Sequence, residues 1–244
     1  MNKIITAISA AAILLTGLSG AITPVQAATF SSTKIEILYG QNYVRGFNGA
    51  DTDEAIFTIA NASGFTWGDS FFFAEVTGVN DSEDTGGTHM EFSTRYRFWK
   101  PENTGVIKGF YGIVQADITS NAFVEKIVPM GGLSLDWNVP GFKFLKTHVQ
   151  YRDDPTKDGT SVQFNLVWNT AFTLGGENFT FEGFADWTSG EGDGNEVNLL
   201  VQPQLLWLIN KNIGVGIEYQ YWKNRLGIDG LDESVPQIMV RWTF

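Results

Sequence analysis

The chain has 244 residues, no cysteine and a formal net charge of −11, with a pI of about 4.6. The lack of cysteine excludes disulfide bonds, a thiol nucleophile and thiolate metal ligands, and the acidic balance argues against a nucleic-acid partner, which needs a basic surface. Aromatic residues make up 14% of the chain, yet its mean hydropathy is only −0.06, an average that a sheet with one polar and one apolar face produces.

The N-terminal segment has the layout of a secretory signal peptide. Lys3 precedes an apolar run over residues 4–18, and Pro24 and the small residue Ala27 follow that run. We therefore predict that residues 1–27 are cleaved and that the mature chain comprises residues 28–244. The apolar run is too short for a membrane-spanning helix, and no later segment reaches the roughly 20 apolar residues that such a helix needs.

The mature chain divides into twelve runs that either alternate polar with apolar residues or have strand-type composition. Each has about the 9–11 residues with which a tilted strand crosses a bilayer. The runs are 33–43, 54–65, 69–79, 89–99, 107–120, 124–138, 142–152, 160–172, 178–187, 196–209, 213–222 and 235–244. We find no internal repeat and no linker. The pattern predicts an all-β fold, a single transmembrane antiparallel up-and-down β-barrel of about 12 strands.

The fourth run, 89–99, shows why one face of the sheet must be exposed to water. Phe92 and Tyr96 lie on one side, whereas Glu91, Arg95 and Arg97 lie on the other. Arginine against lipid costs about 2–4 kcal/mol at the bilayer midplane, so both arginines must face water or charged partners. Because successive side chains of a strand point to opposite faces, a strand with lipid on one side and a watery lumen on the other must alternate apolar with polar residues.

Two runs contain a proline that weakens the strand prediction. Pro129 and the Gly131-Gly132 pair fall within 124–138, and Pro203 falls within 196–209. Proline donates no ladder hydrogen bond, so each is compatible with a bulge or a short edge strand. Loss of one run would leave an odd strand count, which single-chain bacterial barrels avoid.

The connections between the runs alternate between long and short. With a periplasmic N-terminus, the external connections are 44–53, 80–88, the stretch near Asn121, 153–159, 188–195 and 223–234, and the periplasmic ones include 66–68, 139–141, 173–177 and 210–212. Outer-membrane barrels combine long external loops with short periplasmic turns. The external set also holds 13 of the 27 carboxylates, including Asp153, Asp154 and Glu191. These features favour the outer membrane of a Gram-negative cell.

The last eight residues have the pattern of the closing strand of an outer-membrane barrel. One face holds Ile238, Val240, Trp242 and Phe244, and the other holds Gln237, Arg241 and Thr243, with Met239 as the one exception. The terminal aromatic residue, Phe244, is the expected contact with the barrel-assembly machinery. The last strand of a soluble sandwich is the alternative interpretation of these eight residues taken alone.

Aromatic residues near the ends of the runs predict interfacial girdles. They are Trp99, Trp137, Trp187, Trp207, Trp242 and Phe244. Such residues anchor a barrel among lipid headgroups. The alternative is that they are plain outward apolar surface.

The sequence carries weak signals for catalysis and for metal binding. His89 and His148 are the only histidines. His89 with Ser93 could form a hydrolase pair, but both histidines fall on the predicted lumen side, whereas a lipid hydrolase needs its nucleophile toward lipid. The acidic runs 80–84 and 153–154 could bind calcium, yet neither has a recognisable ligand spacing. We predict no enzymatic activity, no cofactor and no resident metal.

An autotransporter barrel also has twelve strands, but it would follow a long passenger and a helix that threads the pore. In this chain the first run begins a few residues after the predicted cleavage site. A passive channel is therefore the leading functional class.

Two segments resemble the Tsx family of nucleoside-specific outer-membrane channels. They are Ile37-Leu38-Tyr39-Gly40 in the first run and Trp67-Gly68-Asp69-Ser70-Phe71-Phe72-Phe73-Ala74-Glu75-Val76 at the start of the third. The strand count, the chain length and the terminal Phe244 also match. The resemblance implies a monomeric twelve-stranded barrel with a narrow lumen, through which nucleosides diffuse past weak sites. Outside the first third of the mature chain no binding residue can be matched.

The candidate solute-binding residues are those that the alternation assigns to the lumen. A nucleoside has a flat base and a ribose, so a selective pore needs aromatic faces and carboxylate or amide groups. The candidates are Asp69, Phe71, Phe73, Glu75, Glu36, Glu91, Arg95, Arg97, Glu218 and Trp222, with Asn42, Gln163, Asn165, Asp186 and Gln220 completing the lining. For the arginines, mutual neutralisation with Glu91 that braces the barrel is the structural alternative. The functional alternatives are a channel for another small solute and a structural or receptor barrel without selective transport.

Overall fold

The computed structural model describes residues 27–45, 50–80, 86–102 and 105–244. The predicted signal peptide lies almost entirely outside these described residues. The described residues form twelve strands: β1 (Phe30–Arg45), β2 (Ala50–Phe65), β3 (Gly68–Val76), β4 (Gly87–Trp99), β5 (Ile107–Asn121), β6 (Glu125–Trp137), β7 (Phe142–Arg152), β8 (Ser161–Leu174), β9 (Glu177–Thr188), β10 (Asn198–Leu208), β11 (Ile213–Lys223) and β12 (Glu233–Thr243). Each corresponds to one of the twelve predicted runs, which confirms the strand prediction.

Every strand pairs antiparallel with its neighbour in sequence, and β1 pairs with β12 to close the barrel. The closing register places Glu36 opposite Arg241 and Leu38 opposite Met239. The fold is therefore the predicted closed up-and-down barrel, in which no strand edge remains unpaired. In the described part of the chain, no helix is long and apolar enough to cross a membrane.

The alternation in β12 defines the two faces of the wall. Ile238 and Val240 expose 66% and 52% of their surface, whereas Gln237 and Met239 expose only 1% and 3%. The exposed set is apolar and the enclosed set is mostly polar, which is the arrangement that a barrel with lipid outside requires. A soluble sandwich would show the reverse, so the closed barrel excludes that alternative.

Both prolines that weakened the strand prediction lie inside intact strands. Pro129 pairs with Ala116 on β5, and Pro203 pairs with Gly183 on β9. Neither residue shortens its strand, so the strand count stays even. The hydrogen bonds on either side of each proline maintain the ladder where its own donor is missing.

A β-bulge in β1 changes one predicted lumen residue. Gly40 pairs with Glu54 and Tyr43 pairs with Thr52, so three steps on β1 match two steps on β2. The extra residue reverses the alternation, because each one-residue shift moves side chains to the opposite face. Asn42, which the alternation assigned to the lumen, is exposed at the bulge with a φ of 64°, and Tyr43 enters the lumen in its place. That prediction for Asn42 is wrong.

The two ends of the barrel differ in the lengths of their connections and in their aromatic content. Residues 66–67, 100–106, 138–141, 175–176 and 209–212 connect strands at the end that holds both termini. Residues 46–49, 77–86, 122–124, 153–160, 189–197 and 224–232 connect them at the other end, where most of the connections are longer. We call these the short-turn end and the long-loop end. Of the predicted girdle residues, Trp99, Trp137, Trp207, Trp242 and Phe244 lie near the short-turn end, and Trp187 lies near the long-loop end.

Candidate functional site

The first lumen site is an ion cluster around Arg95, which is buried in the wall formed by β3–β7. Its Nε donates to Asp69 Oδ1 at 2.8 Å, and its Nη1 donates to Asp136 Oδ1 at 2.6 Å and to Ser134 Oγ at 2.9 Å. The guanidinium also lies 4.3 Å from the centroid of the Tyr111 ring. A buried guanidinium needs this number of partners to offset its lost hydration. We call this group the Arg95 cluster.

A second ion cluster surrounds Arg241 on the facing part of the wall. Arg241 Nε donates to Glu36 Oε1 at 2.5 Å, and its Nη1 lies 2.7 Å from Glu182 Oε1. Lys34 forms an ion pair with the same Glu182, and Asn169 donates to its second oxygen. We call this group the Arg241 cluster. It joins the first and last strands to β8 and β9.

These two clusters contain three of the predicted lumen candidates. Asp69, Arg95 and Glu36 do face the lumen, but each is engaged in a buried ion pair. The predicted neutralisation of the arginines is therefore realised for Arg95, with Asp69 and Asp136 as partners in place of Glu91. Arg97 lies at the short-turn end, where its side chain is exposed and donates to the backbone carbonyl of Thr66.

Between the clusters and the long-loop end lies a group of carboxylates that amides hold in place. Gln115 donates to Asp117 at 2.9 Å, and Asn165 donates to Asp186 at 2.6 Å. Across the lumen, Gln202 and Gln237 donate to Glu218 at 3.1 and 3.0 Å. We call Asp117, Asp186 and Glu218 the amide-held carboxylates.

Glu91 and Glu75 belong to the same region of the lumen. His89 Nε2 lies 3.1 Å from Glu91 Oε1, and its Nδ1 lies 3.3 Å from Thr119 Oγ1. Glu91 and Asp117 are close enough to Asp186 for their charges to interact across the lumen, and Glu75 interacts in the same way with Glu218. This region thus concentrates acidic side chains, with the basic His89 among them.

Phe71 and Phe73 form an aromatic strip on the lumen face of β3, where the alternation placed them. Phe73 contacts His89 edge to face, with 6.4 Å between ring centroids, and Phe71 keeps 38% of its surface exposed. Their lateral neighbours on β2 are Ala62 beside Phe71 and Ala60 beside Phe73. The direct neighbour of each ring on that side is therefore a methyl group and not a larger side chain.

Trp222 lies on the lumen face of β11 near the long-loop end. Its partners in the ladder are Leu200 and Glu233, and Arg225 stacks over its ring at 5.1 Å. Arg225 also donates to the carbonyl of Val44, which connects the loop after β11 to the end of β1. Trp222 is therefore covered on one face by a residue of the loop that follows β11.

An apolar patch inside the barrel was not predicted from the sequence. It consists of Leu38, Tyr43, Ile56, Leu206, Val235 and Met239. Met239 broke the alternation of the last strand because its lumen neighbours are apolar. The sequence signal for such a patch is an apolar residue on the otherwise polar face of a strand. It indicates a patch when several strands carry such a residue and those strands are neighbours in the sheet.

The long-loop end is held together by a buried ionic latch. Arg152 Nη1 donates to Glu191 Oε2 at 2.5 Å, Lys126 pairs with Asp154, and the backbone N–H of Asp154 donates to Glu191 Oε1 at 2.6 Å. Burial alone would raise the pKa of Asp154, but hydrogen bonds from Lys126 and Thr156 outweigh it and hold that pKa well below its usual range. We call Lys126, Arg152, Asp154 and Glu191 the loop latch.

The histidines and acidic runs give no support to catalysis or calcium binding. His89 bonds Glu91 and Thr119, and His148 Nδ1 lies 2.8 Å from Ser134 Oγ, a hydroxyl that already accepts from Arg95. Within the described residues no group of three or more His, Asp or Glu side chains is arranged to hold a metal ion. Asp154 is engaged by the latch, and residues 81–85 of the first acidic run lie outside the described residues.

Comparison with known proteins supports the fold. No family model and no curated protein matches the sequence. Among solved structures, the chain is similar to the NanC porin, with 10% identity, 86% of this chain and 98% of that chain covered, and a TM-score of 0.53. The KdgM porin matches with 14% identity over 86% and 99% of the chains, at a TM-score of 0.49. The NalP translocator domain of Neisseria meningitidis matches with 9% identity over 100% and 98%, at 0.39.

The fold and the polar lumen place the chain in the structural class of porin-like β-barrels. At this level of identity the similarity concerns the fold alone. The predicted resemblance to Tsx channels is not tested by these matches and stays a prediction.

Proposed function

We propose that this protein is a passive channel for small solutes in the outer membrane of a Gram-negative cell, and that nucleosides are among its solutes. The lipid-facing wall supports the location, because an apolar outer face with aromatic bands suits a bilayer. Lipid and, through Phe244, the barrel-assembly machinery are then its cellular partners. The protein acts as a monomer and needs no cofactor.

The observation that carries the nucleoside proposal is the aromatic strip of Phe71 and Phe73. Both rings face the lumen, and the alanines beside them on β2 leave room for a flat base. Base stacking on an aromatic side chain contributes about 1–3 kcal/mol, which suits a weak transit site.

Polar groups beside the strip suit the ribose. Glu91 is the ladder partner of Phe73, and Glu75 lies two residues further along the same face. Carboxylates accept hydrogen bonds from ribose hydroxyls, and several weak sites in series speed entry without trapping the solute. The resemblance of residues 67–76 to Tsx channels points to the same solute class.

A second candidate, a barrel that serves as an anchor or receptor without transport, is favoured by a different observation. The Arg241 cluster crosses the part of the lumen between β9 and the closing strands β12 and β1, and the loop latch joins two loops at the long-loop end. A barrel with a filled interior needs no permeant solute.

Planar bilayer recording separates these functions. The purified protein should form conducting pores, and adenosine or thymidine should reduce the current, whereas a sugar of similar size should reduce it much less. Equal block by sugars and nucleosides would contradict nucleoside selectivity while keeping the channel. Absence of conductance from correctly folded protein would favour the anchor.

A further inference from the structure

We propose that the lumen selects for cations and cationic solutes and disfavours anionic ones. This inference rests on the proposed channel function, because selectivity requires conduction. It is carried by two independent features of the described residues: which charges are paired, and which buried hydrogen-bond acceptors lack a donor.

Six basic side chains of the described lumen are committed to carboxylates. Lys34 and Arg241 pair with Glu182, Arg95 pairs with Asp69 and Asp136, and Lys146 lies 3.7 Å from Asp69. Nearer the long-loop end, Lys126 pairs with Asp154 and Arg152 pairs with Glu191. Each of these cations is neutralised locally and offers little attraction to an anionic solute.

The amide-held carboxylates have no such neutralisation. In the described part of the chain, Asp117, Asp186 and Glu218 form no ion pair with lysine or arginine, and their hydrogen-bond donors are the side-chain amides of glutamine and asparagine. An amide orients a carboxylate but does not cancel its charge. Together with Glu75 and Glu91 they outnumber the basic groups whose charges reach them, His89, Arg152 and Arg241, and the last two are already paired with Glu191 and Glu36. The region therefore keeps an excess of acidic groups, whose field a low-dielectric wall concentrates.

The amides themselves supply the second observation. Gln150 is fully buried, and its Nε2 donates to Gln115 and Asn165, the two amides that hold Asp117 and Asp186. Its Oε1 accepts no hydrogen bond. The same holds for the buried Gln237, whose Nε2 donates to Glu218 while its Oε1 has no donor.

Hydrogen-bond accounting explains why these oxygens lack partners. Carboxylates only accept, and each amide has N–H groups that are used on a carboxylate or on the next amide. The amide donors of this region are therefore used on its own carboxylates and amides, and a buried acceptor without a donor is unfavourable. A solute that brings N–H groups or positive charge supplies the carboxylates that line the lumen with donors that the amides cannot spare, whereas a phosphate or carboxylate solute adds more acceptors and more negative charge.

The test is the reversal potential of the wild-type pore across a KCl gradient at neutral pH. We expect the permeability to K⁺ to exceed that to Cl⁻ by about tenfold or more, the lower end of the counter-ion enrichment in a charged cleft. The double substitution Asp117→Asn with Asp186→Asn should lower this ratio severalfold. Glu218→Gln, on another part of the wall, provides a second variant if the first does not fold.

The matched control removes two carboxylates from outside the lumen. Glu125→Gln with Asp193→Asn, both exposed, makes the same change in net charge and should leave the ratio unchanged. A conducting wild-type pore with no preference for cations, or with a preference for anions, would overturn this inference and leave the channel standing. Equal effects of the lumen and control variants would also overturn it. Lack of any conductance would instead refute the proposed function.

Discussion

Arg241 on β12 and Glu182 on β9 form a 2.7 Å ion pair, although β10 and β11 lie between their strands. Neighbouring strands are about 4.7–4.9 Å apart, and β9 and β12 are three such spacings apart along the wall. The two side chains therefore meet inside the lumen and not along the wall. At this level β11 presents Gly214 and Gly216 opposite Arg241 and Met239, and neither glycine has a side chain to obstruct the crossing. The closing strand is therefore tied to a distant part of the wall as well as to its neighbours.

Removal of Arg241 should destabilise the barrel strongly. Arg241→Met leaves Glu36 and Glu182 with fewer partners in a buried site, and loss of one member of such a pair costs about 3–5 kcal/mol. Urea unfolding of protein refolded in lipid vesicles measures the change in the free energy of unfolding. The exposed Lys223→Met serves as the control and should change it by at most about 0.5 kcal/mol. Equal unfolding midpoints for the two variants would show that the cluster contributes nothing to stability.

Two adjacent phenylalanines on β3 provide a matched test of the aromatic strip. Phe73 faces the lumen, whereas Phe72 faces the opposite side and pairs with Phe92. Phe73→Ala should weaken nucleoside block by about 1–3 kcal/mol, roughly a 5- to 150-fold change in the blocking concentration. Phe72→Ala should leave block unchanged in single-channel recordings. If nucleosides block both variants as strongly as they block the wild type, the nucleoside does not stack on Phe73.

The strands and their two faces could be predicted from the sequence because lipid and lumen impose a two-residue alternation that every strand must obey. The exceptions have local physical causes. The extra residue between Gly40 and Tyr43 reverses the face of every side chain beyond it, and the residues themselves do not reveal where such a bulge falls. Met239 broke the alternation because it belongs to an apolar patch whose other members come from distant runs.

The ion pairs of the lumen could not be predicted in the same way. Alternation identifies which residues face inward, but the partner of each charge depends on the register and closure of the whole sheet. From the sequence, Glu91, four residues earlier on the same strand, was the expected ion-pair partner of Arg95. In the structure Arg95 pairs with Asp136 on β6 instead. Glu182 and Arg241 are separated by 59 positions in the sequence, and only closure brings them together across the lumen.

The terminal aromatic residue should matter more for assembly than for the folded state. Phe244 stacks on Trp242 with ring centroids 5.9 Å apart, and its backbone N–H donates to the carbonyl of Thr33 at 2.9 Å. We expect Phe244→Ala to lower the folded, heat-modifiable fraction recovered from the outer membrane, and to refold normally into lipid vesicles without other proteins. Phe172→Ala, which removes an outward ring stacked on Phe179 at 5.5 Å, is the control. A loss in vesicles as large as the loss in cells would assign the effect to folding instead.

The loop latch should resist mild acid and fail only at low pH. The pKa of Asp154 is held below its usual range in the folded protein, so its contribution to stability is fully present above its unfolded value of about 3.9 and disappears as the pH falls through the lower folded value. Hydrogen exchange of the Asp154 and Thr156 amides, corrected for intrinsic rates, should show constant protection from pH 7 to pH 5 and a loss below pH 4. Asp154→Asn should remove much of that protection at every pH, because Lys126 then loses its carboxylate partner and Arg152 keeps only Glu191. Asp153→Asn changes an exposed neighbour and should retain the protection of these amides. Loss of protection in both variants, or in the wild type between pH 7 and pH 5, would contradict the role of the latch.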